Sequence, residues 1–331
     1  MRVHPDLLPQ LQQKNFWKNA FTLRGSVTPK IFAQVCVMMA YSSFIVWADL
    51  IYHFRPLSIT PFEFTGVALG IILVFRLNAG HDRWWEARKI WGSIVNQSRN
   101  LGIIIVSYVK ADHNAKKNLL KMVAALPYLM KNHLRQEADL HEIAHLLNPE
   151  ILEILKTTQH RPNVVASLIA RSLDSFKNSG RLDSFAFLES EKQRSILIDC
   201  QGACERILKT PIPFVMSIKT RRFILIFLLI LPIALVNKIG FYTPFISGLV
   251  AYSFFSVDRI GVELQNPFST RNLSHLPLDG ICQTIEKNIL ELIDLYEFNK
   301  WSSALDFIKE GQESSKIHRE GERPPISTDL L

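Results

Sequence analysis

Glycine is scarce in this chain, 14 residues of 331, and no group of them gathers into one loop. That removes the glycine-rich turn that cradles phosphate in nucleotide-binding folds. Cysteine is scarcer still: Cys36, Cys200, Cys204 and Cys282 are the full set, too few for a disulfide framework in so long a chain. Cys200 and Cys204 stand one helical turn apart. They could pair on a metal, but free cysteine is usually buried, so a packed helix face is the expectation. Strand-type alternation is rare, which argues against a β-rich fold. Residues 1–30 lack the short charged start and apolar run of a signal peptide. No Ser-His-Asp arrangement can be read. The net charge is +8, but no basic, aromatic-interleaved patch lies away from the apolar runs, so a nucleic-acid partner is not expected.

What the chain does have is 48% hydrophobic residues, unevenly spread. They collect near 31–53, 61–80, 223–236 and 239–257, with charge filling the rest. Lipid imposes this segregation, because it rejects charge and forces backbone groups to pair within the helix. Lys14, Lys18, Arg24 and Lys30, interleaved with Phe16, Trp17 and Phe21, suit the headgroup layer before the first span. From 81 to 222 apolar residues recur at helical spacing, with breaks near Asp112, Asn148-Pro149, Arg161-Pro162, Asn178-Ser179-Gly180 and Pro211-Ile212-Pro213. Basic residues flank the spans on one side: Arg76, Arg83, Arg88 and Lys89 after the second, and Lys219, Arg221 and Arg222 before the third. The positive-inside rule then places both termini and the 81–222 region in the cytoplasm.

The second span carries the most information. Thr60-Pro61-Phe62-Glu63 reads as an N-cap, a proline at the first helical position and a glutamate at the third. The uncharged run Phe64 to Phe75 is too short to cross ~30 Å of hydrocarbon. The helix must therefore continue through Arg76 and Asn78, which need shielding from lipid, as in a pore or bundle interior. Val67, Ile71 and Phe75 recur every four residues and form one stripe, flanked by Gly66 and Gly70. Around an axis such a stripe makes apolar rings that gate ions by dewetting; any membrane helix, however, has apolar residues at this spacing. Glu63 completes a capping box first, and in a pore would also ring the mouth. His141-Glu142-Ile143-Ala144-His145 matches the zinc-hydrolase pattern, but no persuasive third ligand follows, and a solvated helix face is the plainer reading.

The stretch from Phe75 to Gly92, with Asn78-Ala79-Gly80-His81-Asp82-Arg83-Trp84-Trp85-Glu86 at its centre, resembles the prokaryotic bestrophins. So do Gly202-Ala203-Cys204-Glu205-Arg206 leading to Thr210-Pro211-Ile212-Pro213-Phe214, Leu231-Pro232-Ile233-Ala234-Leu235-Val236, and Glu263-Leu264-Gln265-Asn266-Pro267-Phe268 with Leu276-Pro277-Leu278-Asp279. The likeness covers roughly 23–295. It implies a homopentamer around one axial pore, with four membrane helices and a large helical cytosolic part per subunit. It also implies a hydrophobic neck at Val67, Ile71 and Phe75, the stripe already found by spacing. A second, cytosolic aperture falls at Phe185, counted back from Cys204. Animal members bind calcium through an acidic run after Asn-Pro-Phe; here Ser269 to His275 hold no carboxylate before Asp279, so no calcium clasp is expected. Animal members pass anions and a bacterial branch looks cation-selective. Glu63 and Asp82 lean the expectation toward cations if they face the pore.

The expected architecture is thus an all-α, polytopic membrane protein: an interfacial segment (1–30), a span pair (31–80), a cytosolic helical region (81–222), a second span pair (223–257), a cytosolic helical region (258–307) and a disordered tail (308–331). The expected function is a pentameric channel of a bacterial inner membrane for small monovalent ions, not an enzyme. Glu63, Asn78 and Asp82 are candidate mouth or pore-lining residues. Expected partners are further copies of the chain, membrane lipid and inorganic ions, with no cofactor or metal. The rivals are a zinc-dependent membrane hydrolase on His141, Glu142 and His145, and a non-conducting membrane scaffold.

Overall fold

The computed structural model describes Trp17 and residues 21–23, 25–53, 55 and 57–297. The basic and aromatic positions Lys14, Phe16, Lys18 and Arg24, the end of the last expected helix and the 308–331 tail lie outside the described residues. All regular structure among the described residues is helical. The helices are α1 (Thr28–Tyr52), α2 (Thr60–Tyr108), α3 (His113–Arg135), α4 (Pro149–Thr157), α5 (Arg161–Asn178), α6 (Ser184–Lys209), α7 (Phe214–Ile239), α8 (Thr243–Glu263) and α9 (Leu278–Glu297). Short 3-10 turns occupy His141–Ile143 and Gly240–Tyr242. Among the described residues, three stretches are long and apolar enough to cross a membrane: α1, α2, and the Phe214–Glu263 stretch that contains α7 and α8.

The chain divides into two compact units. The first comprises 1–94, 130–138 and 199–281, and the second 95–129, 139–198 and 282–331. In the first unit, α7 and α8 form an antiparallel hairpin. Arg221 near the start of α7 meets Asp258 near the end of α8 (3.3 Å), and the rings of Phe227 and Phe254 lie 5.5 Å apart. The turn between them passes through Gly240 at φ +50°, a left-handed conformation that side chains with a Cβ resist. Met38, Leu69, Leu73, Ile224, Leu228 and Leu231 build the core shared by α1, α2 and the hairpin. Close approach occurs at Gly248, where a Cβ would fall 2.6 Å from Met39 Cγ, and at Gly80, where it would fall 3.0 Å from the Gly261 carbonyl. It does not occur within the chain at Gly66, where a Cβ would make ordinary contact with Phe227, or at Gly70, which faces open space.

In the second unit the apolar periodicity becomes a tight core, with Leu101, Ile105, Leu126, Ile169, Leu173, Leu197 and Ile289 fully buried. Such a dry interior is the main source of folding free energy, at roughly 25 cal/mol per Å² of apolar surface. Helix α5 starts where His160 Nδ1 accepts from the Asn163 amide (3.4 Å) and Pro162 sits in the first turn. Helix α6 starts on Asp183, whose Oδ1 accepts from the amides of Phe185 (2.8 Å) and Ala186 (3.1 Å).

Candidate conduction site

Helix α2 presents two different faces in its first half. Leu69 and Leu73 are buried in the core of the first unit. Opposite them lies a bare stripe in steps of three or four residues: Glu63, Val67, Ile71, Phe75, Asn78 and Asp82, all exposed. Val67 is 66%, Ile71 52% and Phe75 64% exposed, unusual for large apolar side chains in a folded chain. At 1.5 Å per residue the apolar part is ~8 residues, or ~12 Å, long. Asn78 and Asp82 continue the same face, so it is not uniformly suited to lipid.

Arg76 does not belong to that stripe. It was expected to share the shielding of Asn78; instead it turns inward, 1% exposed, with Nη1 2.5 Å from Asp258 Oδ1. The contact is an ion pair without an aligned hydrogen bond. Its charge is therefore paired within the chain and says nothing about a pore.

Glu63 also departs from expectation. The helix already includes Thr60, and the Thr60 amide donates to Ser58 Oγ (3.4 Å), so a capping box is not needed to satisfy that amide. Ser58 is two residues upstream and reaches the amide first. No ion pair holds the Glu63 carboxylate among the described residues, and the side chain is exposed.

Past the span, Arg83 gathers backbone carbonyls. It donates to Ile207 and Thr210 at the end of α6 and to Gln265 after α8 (3.3 Å). A cation on the unpaired carbonyls of a helix C-terminus is favoured by the helix dipole. Trp84 Nε1 donates to the Ser274 carbonyl (2.7 Å). Asp279 accepts from Lys131 (2.9 Å) and from Arg135 (2.9 and 3.0 Å). Burial would raise its pKa, but the bonds from Arg135 and Lys131 outweigh that and lower it to about 2. The first carboxylate after Asn266-Pro267-Phe268 is thus engaged by two cations. Glu263 likewise accepts from Lys30 (2.7 Å) and the Leu273 amide (2.8 Å), and Arg259 pairs with it at 2.9 Å.

In the second unit, Phe185 sits in the first turn of α6 and is 86% exposed. The Asp183 cap fixes its backbone, and its ring is left largely uncovered by the described residues. Cys200 and Cys204, in the first unit, are buried on one face of α6, and burial pushes both thiols up.

The His141–His145 motif is not an α-helical turn. His141–Ile143 is a 3-10 turn, in which residues three apart eclipse and the fourth is rotated by about a third of a turn. His145 lies beyond that turn, so the continuous α-helical spacing the motif requires is absent. His145 Nε2 instead lies 2.5 Å from Glu286 Oε1, while the Tyr128 hydroxyl donates to Glu286 Oε2 (2.5 Å).

Reading residues alone missed the Arg76–Asp258 pair and the Arg83 clamp. The signal for the first was present: one arginine and one aspartate near the same ends of two apolar spans.

Comparison with known proteins accords with this arrangement. A family model described as Bacterial/Fungal Bestrophin protein matches residues 10–291. A voltage-dependent anion channel-forming protein of Nostoc sp. is 34% identical over 290 residues, covering 86% of this chain and 93% of the relative. The protein of that description from Escherichia coli K12 is 31% identical over 284 residues, covering 85% and 93%. A bacterial bestrophin homolog from Klebsiella pneumoniae superposes with a TM-score of 0.75 at 27% identity, covering 80% of this chain and 98% of that one. These relatives are named for channel formation, which sets aside the hydrolase reading, and for anions, so the lean toward cations gains no support. With the long apolar helices, the match makes this chain a membrane protein, non-enzymatic, and a member of the bestrophin family.

Proposed function

We propose that five copies of this chain surround one axial pore that conducts small monovalent ions, with α2 facing the axis. The bare stripe on α2 carries this reading. An apolar face that ends in Asn78 and Asp82 suits a water path better than lipid. Val67, Ile71 and Phe75 form the neck, where narrow apolar walls resist wetting. Phe185 forms the cytosolic aperture, and Glu63 rings the outer mouth. The names of the relatives favour anions; the neck and aperture then set the sign of the permeant ion, and the acidic ring at the mouth works against it.

The hairpin supplies two crossings. Helix α7 has 26 residues and α8 has 21, or ~39 and ~31 Å at 1.5 Å per residue, against ~30 Å of hydrocarbon. With α1 and α2 this makes four crossings, both termini in the cytoplasm and residence in a bacterial inner membrane, as the basic flanks support. The expected absence of calcium gating accords with the engagement of Asp279 by Lys131 and Arg135.

The test is conductance in planar bilayers. Ile71→Ala with Phe75→Ala widens and wets the neck, so unitary current rises several-fold. Unchanged current in a correctly assembled double variant overturns the neck. No ion flux from wild-type liposomes, with assembled protein verified, favours the scaffold.

A further inference from the structure

At the basic ends of α1, α7 and α8 the first unit holds an open groove of about 650 Å³. Lys30, Arg221 and Arg259 stand on its rim, beside Asp258. Its floor is Ile31, Val37, Met38, Ile224, Leu225 and Phe255. We propose that this groove holds an anionic phospholipid, its phosphate on the three cations and an acyl chain along the floor.

Charge argues for the headgroup. Four cations, Lys30, Arg76, Arg221 and Arg259, share two carboxylates, Asp258 and Glu263. Both carboxylates are already contacted twice, and Glu263 also accepts from the Leu273 amide. The cluster keeps two positive charges in excess. Arg259 Nε is buried and makes no hydrogen bond. Arg221 and Arg259 are 56% and 38% exposed at the side chain, so both can turn toward a ligand. A phosphate would supply charge and acceptors together.

The floor argues for a lipid and against a free anion. Val37 and Leu225 are 66% and 50% exposed, too apolar to remain wet without cost. From Lys30 to Val37 helix α1 rises ~10 Å, so the polar rim and apolar floor are ordered as a phospholipid is. A zwitterionic lipid would fill the floor but bring its own cation to a positive rim. Anionic lipid faces the cytoplasmic side, where these helix ends are proposed to lie. The inference needs the helices in a membrane but does not depend on ion passage.

The experiment is native mass spectrometry of the full, detergent-purified protein titrated with phosphatidylglycerol, phosphatidylcholine or soluble glycerol phosphate. Phosphatidylglycerol binds about tenfold more tightly than phosphatidylcholine, and glycerol phosphate does not compete at equal concentration. Arg221→Gln with Arg259→Gln removes the preference. Leu225→Trp, which fills the floor and leaves every charge, weakens both lipids; it stands as the second test should the arginine variant fail to fold. Equal binding of the two lipids, full competition by glycerol phosphate, or undiminished phosphatidylglycerol binding in a folded variant overturns the proposal.

Discussion

Replacing Asp258 with asparagine probes the inward-facing half of α2. Arg76 is 1% exposed, and its Nη1 rests 2.5 Å from Asp258 Oδ1. None of its side-chain nitrogens makes a hydrogen bond among the described residues. Compensation of its charge therefore depends on Asp258. Removing one partner of a buried pair costs roughly 3–5 kcal/mol, because the other charge stays buried. Asp258 is 15% exposed, so some water reaches the site and the low end, about 3 kcal/mol, applies. Arg221 also loses a partner, but at 56% exposure it returns to solvent at little cost. At roughly 2–4 °C per kcal/mol, melting falls by about 6–12 °C. The assay is tryptophan-fluorescence melting of purified protein in detergent. Arg76→Met with Asp258→Leu, which removes both charges and fills the space, recovers most of the loss. An Asp258→Asn protein melting within about 1 °C of wild type would refute the pairing argument.

Two further predictions concern single carboxylates. Glu63→Gln leaves stability within about 0.5 kcal/mol, because no described ion pair or capping box depends on it; reversal potentials in asymmetric salt move toward anions if Glu63 rings the mouth, and stay fixed if it faces elsewhere. The Asp279 pKa is lowered to about 2, against ~3.9 unfolded. The stabilisation is thus complete above the unfolded value and is lost as pH falls toward the folded one. Asp279 is 47% exposed, so screening reduces the contribution to about 1 kcal/mol. Acid melting curves should show wild type losing that much more than Asp279→Asn between pH 5 and pH 2.5, and parallel losses would remove Asp279 from the acid response.

The helices were largely legible because each begins or ends on a local signal, such as Pro149, Pro162 or the Pro211-Ile212-Pro213 break. Periodicity also made the Val67, Ile71 and Phe75 stripe visible. It could not divide the polar residues after it, since Arg76 and Asn78 differ only in which way they turn, and Asp258 on a distant helix decides that. The capping reading of Glu63 failed because the local spacing offered two ways to satisfy the Thr60 amide, and Ser58 supplies one. The His141 motif failed because two histidines four apart share a face only on a continuous α-helix, and here a short 3-10 turn ends at Ile143, before His145. The resemblance contributed what one chain's pattern lacks, since a pore is a property of several copies.

Access of water to the α2 stripe tests the central claim most directly. In a Cys36→Ser background, where the remaining cysteines are buried, Ile71→Cys is treated with a charged, membrane-impermeant thiol reagent during bilayer recording. If the stripe lines the pore, modification abolishes or sharply reduces the current, and reduction restores it. A current that is unaffected, with mass spectrometry showing the thiol unmodified, would put Ile71 in lipid and contradict the account.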